Sequence, residues 1–274
     1  MANEAKIFQM TAVDENGNEI TDLNPRTVSE AVAYNDSEPV IQAVGGVTVG
    51  SSYPNSTVQK VLYDILHPYV KPAISLSGNP SAGVREVGDT IDTINLTAAI
   101  TKKSEDITKV EFYKGSTVVA TVDAPSASGG SETYALTGEF GATTGSFTVK
   151  ARVTDAKGGI TDSSTLTYNW ILPYYYGAVN SADVTGDMVK ALTKVIKSKT
   201  NVSHSFTLEN AHMCFAVPSG WALKTIIDPN GFDITSSFTL KEVSVLSNDG
   251  VNHNYNVYVS DLTSQSAFVV KFNI

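Results

Sequence analysis

Between residues 71 and 172 apolar and polar positions alternate in short runs, and no spacing of three and four persists. A period of two is that of half-buried strands. It predicts strands over 73–77, 90–100, 107–113, 117–122, 133–137, 146–154 and 160–170, and seven short strands in about 100 residues predict a β-sandwich. Upstream, partial alternation over 7–13 reads as a strand, followed by a tight turn at Asn16-Gly17. A further strand is expected over 40–49, broken by a turn or bulge at Gly45-Gly46. The period then changes. Val58, Val61, Leu62, Ile65 and Leu66 recur at three- and four-residue spacing, Ser56 or Thr57 is placed to cap the N-terminus, and Pro68 ends the run. These five side chains form one apolar helical face, expected to pack on another element or on a second copy of the chain.

Beyond residue 172 a second helical stripe is expected in Val184, Met188, Ala191, Leu192, Val195 and Ile196, with Lys190, Lys194, Lys197 and Lys199 on its other side and toward its C-terminal end. The remainder returns to strands over 205–208, 213–217, 223–227, 238–245, 254–259 and 267–272, with Asp228-Pro229-Asn230-Gly231 a strong turn. The fold class expected is mainly β. A small α+β N-terminal anchor spans 1–70, an immunoglobulin-like sandwich 71–172, and a C-terminal β-rich domain with one helix 173–274. Both boundaries carry the same signature: His67-Pro68-Tyr69-Val70 and Leu172-Pro173-Tyr174-Tyr175 each place tyrosine after a proline that breaks the preceding element.

Composition narrows the class. At 274 residues with 42% hydrophobic content, the chain can build more than one core. Its 28 acidic against 19 basic residues, net −9, argue against a grip on nucleic acid, which needs concentrated Lys and Arg. The first ten residues hold no apolar run of signal-peptide length, and no stretch approaches a membrane span, so neither export by a leader nor membrane insertion is expected. A single cysteine, Cys214, leaves no internal disulfide; in the run Met213-Cys214-Phe215-Ala216-Val217 it reads as a buried small hydrophobe.

Candidate chemistry is sparse. The four histidines, His67, His204, His212 and His253, lack metal-ligand spacing, and no nucleophile elbow or phosphate loop occurs. Asp89, Asp155 and Asp162 fall on sandwich loops where carboxylates can gather around Ca²⁺, but no calcium-loop pattern accompanies them and solvated turn residues are the simpler reading. An enzyme is not expected, nor a cofactor. Aromatic residues remain as binding candidates: Tyr174, Tyr175 and Tyr176 in one run, and Trp221. Each ring joins a large apolar face to a polar tip, so the cluster reads first as a seal between domains or subunits, and second as a platform for a sugar. Tyr255 and Tyr258, three apart on one strand, point to opposite faces and cannot join such a platform.

Two resemblances extend this reading. The run from Ile107 to Gly115, then Tyr134, then the run from Gly145 to Gly159, resembles the bacterial immunoglobulin-like modules of surface proteins, extracellular enzymes and phage virions. That likeness implies a β-sandwich acting as spacer or adhesive unit, without the disulfide of antibody domains and with Trp170 at the domain end. Residues 23–32 with 46–50, and residues 215–221 through 227–234, resemble phage fibre or appendage proteins as a class. This second likeness implies a non-enzymatic virion protein, a head or tail fibre made in the host cytoplasm. The N-terminal domain would attach to capsid or tail proteins, the others would project toward a host-surface glycan or receptor, and the assembly would be a homotrimer. A bacterial surface adhesin or carbohydrate-binding module is the alternative.

Overall fold

The computed structural model describes residues 33–263 and 265–274. The strand expected over 7–13, the Asn16-Gly17 turn and the virion-like run 23–32 lie outside the described residues. The chain divides between Val70 and Lys71 into two compact units.

In the first unit, strands β1 (Ala33–Asp36) and β2 (Tyr53–Thr57) pair antiparallel, and helix α1 (Val58–Leu66) follows directly. Thr57 is its N-cap, its side chain accepting from Lys60 N at 3.2 Å, so the capping threonine fixes the start that sequence placed there. The strand expected over 40–49 is not formed. Val44 and Val47 bridge across a turn at Gly45-Gly46, whose φ of +56° at Gly45 belongs to the left-handed region. This turn lies against the last turn of α1, with Gly46 N donating to Ile65 O, and a Cβ on Gly45 would stand 1.9 Å from that same carbonyl oxygen. Of the five apolar helix positions, Val58, Val61 and Ile65 are half-buried, while Leu62 and Leu66 are exposed.

The second unit contains two β-sandwiches in chain order. The first comprises β3 (Ala73–Asn79), β4 (Gly83–Glu86), β5 (Ile91–Thr101), β6 (Ile107–Lys114), β7 (Thr117–Val122), β8 (Gly129–Phe140), β9 (Gly145–Asp155), β10 (Ile160–Asp162) and β11 (Leu166–Ile171). One sheet runs β4-β11-β9-β6-β7 with β10 beside β9, and the other β3-β5-β8. Alternation inward of Ile94, Leu96, Ala98 and Ile100 on β5, and of Val149, Ala151 and Val153 on β9, builds the core between them. Trp170 belongs to this core, not to a domain-end plug: it is 2% exposed, stacks with Phe147 at 5.9 Å, and donates Nε1–H to Asp89 O at 2.8 Å. The strand expected over 160–170 is split into β10 and β11, with Ser163 buried between them and bonded through Oγ to Ala151 N.

The second sandwich comprises β12 (Tyr174–Val179), the short helix α2 (Gly186–Lys190), β13 (Thr193–Val195), β14 (Val202–Leu208), β15 (His212–Pro218), β16 (Thr225–Ile227), β17 (Phe238–Leu246), β18 (Asn252–Ser260) and β19 (Gln265–Asn273). The sheets are β13-β12-β15-β18-β17 and β14-β19-β16. Between them lies a core centred on Phe215 and Phe272, stacked at 3.9 Å. The outer face of the larger sheet carries a second apolar layer, with Val184 and Val189 closing over Cys214, Ala216, Tyr255 and Val257. β15 is therefore covered on both faces, which is why its sequence is a continuous apolar run instead of an alternation.

Two expectations are corrected here. The long helix over 184–196 is only five residues, because Val195, Lys194 and Thr193 pair with Tyr174, Tyr175 and Tyr176 in an antiparallel ladder. Strand pairing overrides the helical spacing, an instance of tertiary context outweighing local pattern. Tyr174 and Tyr175, read as part of a joint, open an interior strand, Tyr174–Val179; Pro173 precedes its first residue, where no ladder N–H is lost.

Candidate functional site

The two sandwiches of the second unit meet through short, specific contacts. Glu86, at the end of β4, is 2% exposed, and its carboxylate accepts from Lys194 Nζ of β13 at 2.6 Å. Tyr255 O–H donates to Pro173 O at 2.9 Å, holding the linker against β18. Gly88, with φ of +91°, brings the first sandwich against the β17–β18 turn so closely that a Cβ there would lie 2.4–2.6 Å from the Asn248 and Asp249 backbone. Backbone approach of this kind requires a residue without a side chain.

Of the expected aromatic residues, Tyr174 and Tyr175 are each 2% exposed. Alternation sends Tyr174 and Tyr176 to the inner face of the sheet and Tyr175 to the outer. Tyr174 packs on Phe215 and Trp221, its hydroxyl 3.2 Å from His204 Nε2, and Tyr176 stacks on the His204 ring at 3.6 Å. Burial first, and Lys197 second, lower His204 to about 4, so its imidazole is neutral near pH 7. Tyr175 meets Tyr255 at 5.7 Å on the side facing Glu86; burial first, then the Glu86 charge, push it up to about 12. The three rings are thus divided between two faces, and the two buried ones leave no face for a ligand.

Trp221 has a different setting. It ends the tight turn after β15, its N–H donating to Pro218 O at 2.8 Å, and Asn256 Nδ2 donates to the carbonyls of Ser219 and Trp221 at 3.3 Å. The half-buried ring lines a crevice of about 570 Å³ between the sandwiches, together with Ser146, Asn169, Trp170, Ser198 and Lys199. A second crevice of about 610 Å³ lies on the first sandwich, lined by Lys114, Thr117, Ser146, Phe147 and Thr148. Ser146 belongs to both. Sequence could not have assembled these walls, because their residues come from five separated stretches of the chain.

Several other titratable groups have structural partners. Asp162 accepts from Arg152 Nε at 2.6 Å and Lys150 Nζ at 2.7 Å; these bonds hold its carboxyl far below the usual range and raise the Arg152 guanidinium. Asp155 Oδ1 accepts from Lys157 N and Gly159 N within its own turn. The calcium arrangement considered for these aspartates is therefore not assembled, and among the described residues no three His, Cys, Asp or Glu side chains gather around a metal position. His212 Nδ1 lies 2.7 Å from Ser260 O, and His253 Nε2 lies 2.8 Å from Asp249. Cys214 is fully buried, and burial pushes its thiol up to about 12.

No family model and no curated protein matches the chain. Among solved structures it is similar to the fibronectin(III)-like modules of Clostridium thermocellum CbhA, at 24% identity over 35% of this chain and 93% of that one, with a TM-score of 0.25. The immunoglobulin-like two-sheet architecture rests on the strand order and core described above.

Proposed function

We propose that this chain is a non-enzymatic structural protein of a phage virion, a head or tail fibre. Residues 1–70 attach it to capsid or tail proteins, and residues 71–274 project outward as a stiff pair of sandwiches. The observation that carries the reading is the junction. A buried ion pair, a tyrosine bond to the linker and a glycine at backbone contact fix one sandwich on the other, as suits a spacer that must hold its tip away from a surface. The titratable side chains support the same reading, since Asp162, Asp155 and Glu86 are engaged in internal bonds.

The exposed Leu62 and Leu66 of α1, with Tyr63 between them, give the attachment segment apolar surface for contacts within a homotrimer or with a virion partner. The test is mass spectrometry of gradient-purified particles. The chain is expected as a multicopy component, and its absence from intact particles would overturn the proposal. The alternative of a bacterial surface adhesin or carbohydrate-binding module is favoured by one observation, the Trp221 crevice. Recovery of the protein on the bacterial envelope without particles would select it.

A further inference from the structure

The two crevices of the second unit, one lined by Trp221 at the junction and the other by Phe147 on the first sandwich, share Ser146 as a lining residue. None of the residues lining either crevice is acidic, although the chain as a whole carries a net charge of −9. Each instead contributes one lysine, Lys199 in one and Lys114 in the other, and neither lysine pairs with a carboxylate among the described residues. Lys114 Nζ is set 4.8 Å above the rings of both Phe140 and Phe147, which anchors that positive charge. Hydroxyls and an amide line the crevices with these lysines: Ser146, Ser198 and Asn169 in the one, Ser146, Thr117 and Thr148 in the other.

We propose that these two crevices, which both border Ser146, together bind an elongated acidic polysaccharide, one with uronic or sialic acid carboxylates. Trp221 offers its face to a sugar ring, the hydroxyls and Asn169 exchange hydrogen bonds with sugar hydroxyls, and Lys199 and Lys114 receive carboxylates along the chain. A neutral glycan would leave both lysines without their counter-charge. The inference rests on the reading of the chain as an outward-facing fibre and names the ligand class of its surface.

Binding of oligogalacturonate, oligohyaluronate and oligosialate to the full chain, followed by tryptophan fluorescence and calorimetry, tests it. At least one of the three is expected to bind, weakening as salt rises, while methyl-esterified oligogalacturonate and cello-oligosaccharides do not. Trp221→Ala should reduce affinity roughly tenfold, which is about 1.4 kcal/mol. Because Trp221 also packs on Tyr174, the exposed Lys199→Gln and the anchored Lys114→Gln provide variants that spare the inner core, each expected to lose about two- to fivefold. Failure of all three acidic probes to bind overturns the proposal, as does equal binding of the neutral ones or binding indifferent to all three substitutions. Either failure leaves the virion assignment standing, because particle mass spectrometry reads that separately.

Discussion

Gly88→Ala perturbs the junction at its tightest point. Two costs arise there. With φ at +91°, an L-residue is strained by about 1–3 kcal/mol. Its Cβ would also lie 2.4 Å from the Asn248 carbonyl carbon and 2.5 Å from Asp249 N, about an ångström inside contact distance. Those atoms are backbone of a turn held by Gly250 N to Ser247 O and Ser247 N to Val251 O, so no side chain can swing away. Relief requires the sandwiches to separate, which also pulls Lys194 from the buried Glu86 carboxylate. The sum is about 2–4 kcal/mol. Gly115→Ala isolates the first cost: its φ is +61° and nothing lies within 4 Å of the added Cβ, so about 1 kcal/mol is expected. Urea unfolding of both variants against the parent gives the comparison, and small-angle scattering of native Gly88→Ala should show a larger radius of gyration. Equal destabilisation of the two variants, with unchanged scattering, would refute the claim that backbone contact locks the junction.

Other consequences follow from single environments. Lys194→Met leaves the Glu86 carboxylate buried without its partner; because Lys194 is 42% exposed, about 1–2 kcal/mol is expected in urea unfolding, with part of it recovered in the double variant carrying Glu86→Gln. His204 binds its proton less readily folded than unfolded, so stability present near pH 7 is lost as pH falls through the window from about 6.5 to about 4. After discounting for its partial exposure, that loss is about 1–2 kcal/mol. Unfolding at pH 7 and pH 4.5 should show it, and His204→Phe should lessen the pH dependence. Cys214, buried with its thiol pushed up to about 12, should not react with a thiol reagent in the native protein and should release one equivalent on unfolding; rapid native labelling would contradict its placement.

The alternation of apolar positions located the sandwich strands well where one face is buried and the other wet. β7 matches its expected span, β6 and β9 extend theirs by a residue at one or both ends, and β5 is shifted by one residue. Legibility failed where a segment's role is set by partners distant in the chain. β12 carries tyrosines on both faces because each face is covered, so it shows no alternation, and its flanking proline and internal glycine read as punctuation. Val195 looked helical because it falls in step with Val184 and Leu192, yet pairing with Tyr174 claims it for a sheet. β4 was not foreseen, since four residues with little apolar content show no period; they join the sheet by parallel pairing with β11.

The site behaved the same way. Trp221 was recognisable as a binding candidate by residue type alone. Its companions were not, because Ser146 and Asn169, paired between β9 and β11, meet Lys199 and Trp221 only once the junction has formed. The adjacent tyrosines were the more conspicuous signal in sequence, and two of the three serve as core.

The most direct test of the account is cryo-electron microscopy of purified particles bearing a label on this chain. The account predicts labelled density projecting from the capsid or tail, into which residues 71–274 fit as one body with the two sandwiches in the orientation fixed by Glu86, Lys194 and Gly88. Particles without the label, or projections in which the two sandwiches take many mutual orientations, would contradict it.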